Sequence, residues 1–303
     1  MIDLSLNVWK KSLQISLALF MVSVCIGNYP ANVAFKKNAF ASDNKPQGDN
    51  IIEDSVSTSS DIHKIDPKAD SLLKEMSDFL GTKYKYSFKA EIMFDDIIDS
   101  GRKLQRSASE KVFVQKTNKV YIEYISDVGG QKFWYDDSNV TILDLPRSLY
   151  SKIVVPTSID QAFDELLKRY DYSTPFSELL FVNPYKILTE NVEAGYYIGS
   201  SIVFGVPCNH LGLVDRNVDW QIWIEDGQRK IPRKLVITYK KIPGSPQFIA
   251  ILKDWIFDQP FSHFLFKPDI PKYARETEMS KTPNNLESDL GSIRGSVRNS
   301  QTD

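Results

Sequence analysis

The sequence predicts a mostly β, α+β fold: a large, curved antiparallel sheet of about eleven strands with helices covering its concave face. Three observations carry that prediction. Apolar and polar residues alternate over long stretches. Short segments rich in Gly, Asn, Asp and Ser separate those stretches. Helical periodicity stands in only two places, ahead of the first strand and between two blocks of strands. With 303 residues, 42% hydrophobic and 25% charged, the chain can bury one sizeable core.

Residues 1–41 have the form of a signal peptide. Lys10 and Lys11 precede an apolar run from Leu13 to Ile26, and Ala39-Phe40-Ala41 offers a small-x-small cleavage site. The distance from the run to Ala41 is long, which leaves cleavage elsewhere, or retention as a membrane anchor, as the alternative. Lipidation at Cys25 is disfavoured by Val24, where a small residue would be wanted. Export to the periplasm is the expectation, with no transmembrane span left after cleavage. Residues 42–65, polar and rich in Asp, Asn and Ser, read as a disordered linker.

Order is expected from Asp66 to Pro268. Asp66 can cap a helix with Pro67 in its first turn, and Leu72, Leu73, Met76, Phe79 and Leu80 form its apolar stripe up to Gly81. The period then changes to two. Tyr84, Tyr86, Phe88, Ala90, Ile92 and Phe94 alternate with polar neighbours in a long first strand, and Lys103 to Gln115 follows with weaker contrast between faces. Val120-Ile122-Tyr124, Phe133 to Tyr135 and Val140 to Leu143 continue an antiparallel meander.

Ser158 and Gln161 can form a capping box for a helix whose face holds Ile159, Phe163, Leu166, Leu167 and Tyr170. Pro175 opens a shorter helical piece with Phe176, Leu179 and Leu180. Strands return near Leu188 and pass through Tyr196 to Ile198. The next strand turns Cys208, His210, Gly212 and Val214 to one face and Leu211 and Leu213 to the other. Val218, Trp220, Ile222 and Ile224 then oppose Asp219, Gln221, Trp223 and Glu225. Asp226-Gly227 suits a tight reversal into Leu235, Ile237 and Tyr239, and Gln247 to Phe257 closes the series. From 269 to 303 the chain reads as a disordered tail.

Charge and cysteine count exclude several functions. Losing the four lysines and one aspartate of residues 1–41 moves the formal net charge from −2 to −5. No basic excess remains, so a nucleic-acid partner is not expected. Cys208 is then the sole cysteine, and no intrachain disulfide can form. No cofactor motif stands out, and no cofactor or metal is expected.

Chemical candidates are few. Cys208 and His210 point to the same side of a strand, which suits a nucleophile pair or half a metal site, but a third group is wanting. A packed thiol beside a hydrogen-bonded histidine is the better reading. Asp219, Glu225 and Asp226 flank a turn and are better read as structural carboxylates than as an acid–base pair. Arg233 is expected to pair with Glu225 or Asp219 across the hairpin. No catalytic residue is assigned.

The aromatics are the binding candidates. Tyr84, Tyr86, Phe88, Phe133, Tyr135, Trp220 and Trp255 suit the lining of a cavity for an extended apolar ligand. Plain core packing predicts the same burial, so periodicity does not separate the two.

The segments Asp66 to Leu80, Phe133 to Asp136, Cys208 to Leu211, Asp219 to Gly227 and Pro232 to Tyr239 resemble a domain-of-unknown-function family of predicted periplasmic bacterial proteins. That family is similar to the lipoprotein-carrier superfamily of LolA and LolB. The resemblance spans roughly Asp66 to Pro268. It implies an unclosed β-barrel of about eleven strands, a half-barrel with a helical lid around an apolar cavity. The expected function is therefore binding of a lipid or another hydrophobic small molecule. The alternatives are an interaction module that engages another envelope protein, and an enzyme using Cys208 and His210.

Overall fold

The computed structural model describes residues 65–98, 101–116 and 118–279. The signal peptide at 1–41, the linker before Ile65 and the tail beyond Met279 lie outside the described residues.

Helix α1 (Pro67–Thr82) starts where the sequence allows a cap. The Asp66 carboxylate accepts from the Lys68 N–H at 2.8 Å and the Ala69 N–H at 3.3 Å. The helix buries Ala69, Leu72, Leu73, Met76 and Leu80. It runs one residue past Gly81, and the buried Lys116 ammonium donates to the Leu80 carbonyl at 2.9 Å, satisfying an end that would otherwise lack partners.

Six strands follow in a meander: β1 (Lys85–Ile97), β2 (Lys103–Gln115), β3 (Lys119–Ser126), β4 (Gly129–Asp136), β5 (Asn139–Asp144) and β6 (Leu149–Val154). Then come α2 (Ile159–Tyr170), a 3-10 turn at Ser177–Leu180 and α3 (Pro184–Thr189). A second block comprises β7 (Val192–Val203), β8 (Val206–Asp215), β9 (Val218–Glu225), β10 (Pro232–Tyr239) and β11 (Gln247–Phe257). A two-residue strand, β12 (Arg275–Glu276), completes the sheet.

The sheet order is β12-β6-β5-β4-β3-β2-β1-β11-β10-β9-β8-β7, antiparallel except that β12 runs parallel to β6. β11 pairs with β1 and welds the two meanders together, as in Ala90 opposite Leu252 and Ile92 opposite Ala250. The outermost strands β12 and β7 do not pair, nor do β6 and β7, so the barrel stays unclosed. β6 and β7 are nonetheless consecutive in sequence, and the chain between them has to cross the face of the sheet. That crossing carries α2, the 3-10 turn and α3, which explains why the helical insert is the cover.

Helix α1 crosses the sheet: its start bonds to β7 through Asp66 N–H to the Gly195 carbonyl, and its end accepts from Lys116 beside β2, six places away. The sheet curls towards the helix, and one continuous core joins its concave face to all three helices.

The structure departs from expectation at several points. Leu188 lies in α3, and the strand begins only at Val192. The β9–β10 connection, 226–231, is longer than a tight Asp-Gly reversal because Glu225 N–H bonds to the Ile231 carbonyl across a wider loop. Residues 269–279, expected to belong to a disordered tail, lie against the sheet: β12 pairs with β6, Ser151 donates to the Thr277 carbonyl at 2.8 Å, and Met279 packs on the core. On the convex face, Phe261 packs edge-on against Phe113, and Tyr121 links Phe113 to Trp134, so outward-facing aromatics find apolar company.

Candidate functional site

A small apolar cleft of about 50 Å³ opens between the cover and strands β9, β10 and β11. Its floor is set by period-two geometry: Trp220 and Ile222 on β9, Ile237 and Tyr239 on β10, and Phe248 and Leu252 on β11 all turn to the concave side. Phe176, Leu179 and Leu188 from the crossing segment form its roof. The volume holds a few water-sized or methylene-sized groups, and apolar walls give water little to bond to.

Three polar side chains border it. Thr174 and Glu178 are buried in the roof, and Tyr239 lies in the floor. Burial first, and the nearby Glu178 second, push the Tyr239 phenol well above its ordinary pKa and keep it protonated. The Thr174 hydroxyl and the Trp220 indole N–H are buried without a hydrogen-bond partner among the described residues. The cleft can therefore hold apolar matter and offers no activated nucleophile.

Of the seven aromatic candidates, Trp220 borders this cleft. Tyr86 is fully buried and donates to the Leu179 carbonyl at 3.1 Å. Phe88 stacks on Trp255 with centroids 4.4 Å apart. Phe133 stacks on Phe163 of α2 at 5.5 Å, and Tyr135 donates to the Pro156 carbonyl at 2.9 Å. These five pack the layer between sheet and helices. Tyr84, expected to face inward, precedes β1 and is 55% exposed. Trp255 sits out of phase with Phe248, Ala250 and Leu252, and turns inward because Asp254 takes a left-handed φ of 53° that shifts the strand.

The roof residues and most of the floor were legible as apolar periodic positions, but nothing in the sequence marked them as a cleft. An unfilled volume depends on which side chains fail to meet, and that is not a property of any one segment.

Cys208 and His210 share the convex face, away from the cleft. The Cys208 thiol is buried, contacts the Val206 carbonyl oxygen at 3.4 Å, and burial raises its pKa, the opposite of activation. The His210 ring stacks on Trp223 at 4.0 Å and bonds to the Gln221 carboxamide at 3.0 Å; burial lowers its pKa. The carboxylates are structural as well. Arg233 pairs with Glu225, its Nε at 2.7 Å, and Lys240 pairs with Asp219 at 2.7 Å. Among the described residues no group of three or more His, Cys, Asp or Glu is placed to hold a metal ion, and no helix is long and apolar enough to cross a membrane.

A family model described as "Predicted periplasmic protein (DUF2092)" matches residues 69–280. No curated protein matches the chain. Among solved structures, similarity extends to an uncharacterised conserved protein from Thermus thermophilus, at 9% identity and a TM-score of 0.43, covering 70% of this chain and 99% of that one. The lipoprotein LppX from Mycobacterium tuberculosis is similar at 12% identity and a TM-score of 0.36, covering 65% and 98%. A LolA superfamily protein from Nitrosomonas europaea is similar at 8% identity and a TM-score of 0.33, covering 66% and 98%. At these scores the likenesses carry no argument about function.

Proposed function

The chain belongs to the DUF2092 family of predicted periplasmic proteins, and from that premise we propose that it is a binding protein for a hydrophobic molecule. It holds an apolar chain end in the cleft between β9–β11 and the helical cover. The observation that carries this reading is the cleft itself: an apolar hollow between the sheet and its helical cover, lined by Phe176, Trp220, Ile237 and Phe248. Its volume sets the scale. A few carbon atoms enter, so the ligand is gripped by one end. The unactivated Cys208 thiol supports binding over catalysis.

Equilibrium dialysis against radiolabelled 1-octanol tests the reading. Saturable one-to-one binding is expected, and Leu235→Trp, which places a ring at a half-buried position on the rim, should weaken it at least about tenfold. Absence of saturable binding, or indifference to Leu235→Trp, would overturn it.

A second reading, an interaction module for another envelope protein, is favoured by one observation. β7 is an edge strand, paired among the described residues with β8 and, at Gly195, with Ile65; Tyr196, Ile198 and Ile202 are exposed on it, and it bears no charge from Ala194 to Val203. Phe204 and Gly205 form the two-residue turn to β8, so the Val203–Val206 pair closes the ladder and the Ile202 N–H faces the free edge. Ile202→Pro should remove that donor and abolish capture of a partner from envelope extracts while leaving 1-octanol binding intact. Unchanged capture by the variant would count against this reading.

A further inference from the structure

The roof of the cleft is held in a backbone conformation that its sequence resists. Phe176 has φ 59° and ψ 12°, in the left-handed region that a bulky residue avoids because its Cβ crowds the following carbonyl. Glycine or asparagine would take that position at less cost. Phe176 is nevertheless buried: its ring meets Phe88 edge-on at 6.0 Å and Phe248 at 6.0 Å, and it borders the cleft. Asp171, which ends α2, is left-handed too, with φ 53°.

Strain of this kind persists only where the surroundings enforce it. Two bonds beyond Phe176 do so: the buried Tyr86 Oη donates to the Leu179 carbonyl at 3.1 Å, and the exposed Val182 N–H donates to the Asp160 carboxylate at 3.0 Å. On the other side the Thr174 hydroxyl is buried without a partner among the described residues, while the Thr174 carbonyl accepts from the Ser177 N–H at 3.3 Å. The segment is thus latched at its far end, and the ring of Phe176 is packed where the cleft would otherwise continue.

We propose that Phe176 is the specificity-determining gate of the cleft, admitting a narrow, unbranched alkyl or acyl chain end and rejecting ring-shaped apolar groups. The inference rests on the binding reading above and names the class of ligand it takes. The ring of Phe176 packs against Phe88 and Phe248 where it borders the cleft, and the hollow of about 50 Å³ that remains is smaller than the void of about 150 Å³ that takes up benzene. Removing the benzyl group would free a volume on the order of 100 Å³, the range in which apolar voids take up benzene.

Equilibrium dialysis of the full chain with 1-octanol and with 2-naphthol tests this. Wild type should bind 1-octanol at least about tenfold more tightly than 2-naphthol, and Phe176→Ala should erase that preference by tightening 2-naphthol at least about tenfold. Phe176→Leu, which keeps apolar bulk if the alanine variant fails to fold, should move the ratio in the same direction by less. Phe176→Trp should weaken 1-octanol. If wild type and the leucine variant bind 1-octanol saturably and prefer it over 2-naphthol to the same degree, the gate is refuted while the binding reading stands. If neither they nor the alanine variant binds 1-octanol saturably, the binding reading falls and the gate with it.

Discussion

Glu110 is the residue the fold treats least kindly. It lies on the inward face of β2, opposite Ala90 on β1 and Tyr124 on β3, fully buried, with neither carboxyl oxygen in a hydrogen bond among the described residues. Burial raises its pKa well above the ordinary value of 4.5. A raised carboxyl pKa means that the folded state holds the proton longer than the unfolded one. Its contribution is fully present below pH 4.5 and is lost as pH rises towards the folded-state pKa, by up to about 1.4 kcal/mol per pH unit. Wild type should therefore lose melting temperature as pH rises above 4.5, by up to roughly 3–6 °C per unit, and Glu110→Gln should flatten that slope in thermal unfolding followed by circular dichroism. This carboxyl also accounts for the weak contrast between the faces of β2 in the sequence: Glu110 keeps the inward phase of Val112 and Val114, so parity was legible but polarity misled. Arg233 and Glu225 were more transparent, because cross-strand proximity follows from the hairpin alone.

The elements differ most in how the two sheet edges are finished. β6 is covered by β12 of the same chain, and Tyr150, Lys152 and Glu276 bond beside that pairing. Among the described residues β7 has no neighbour on its outer side beyond the Ile65–Gly195 bridge, and Phe204 is 84% exposed at its turn. Ending the chain after Pro268 would uncover the β6 edge and strip Met279 from the core. We expect a loss of at least about 2 kcal/mol, roughly 4–8 °C in melting temperature, together with concentration-dependent association in sedimentation velocity. A truncated chain as stable and as monomeric as the full one would show that the strap contributes nothing. Alternation found β1, β9 and β10 and their inward faces because each strand is long and half-covered. It missed β12, whose two charged residues carry no period and are paired only because the chain returns to β6.

At the scale of the molecule, topology assigns the parts their work. Consecutive strands β6 and β7 end at opposite edges, so the connection between them crosses the concave face and becomes both the roof of the cleft and the bearer of Phe176. By itself the sequence determined the local matters: the Asp66 cap, the two helical interruptions, the period-two strands, the inward phase of Trp220, Ile222 and Ile237, and the approximate number of strands. Each is a property of a dozen neighbouring residues, and backbone geometry reads such a pattern in the same way in any fold. Only the tertiary structure decided that β11 closes on β1, that the C-terminal strap pairs with β6, that Phe88, Phe133 and Trp255 fill the layer, and that a small hollow is left beside Trp220. Closure and packing depend on surfaces that meet from distant parts of the chain, and a void is a mismatch between them, so no local period records it.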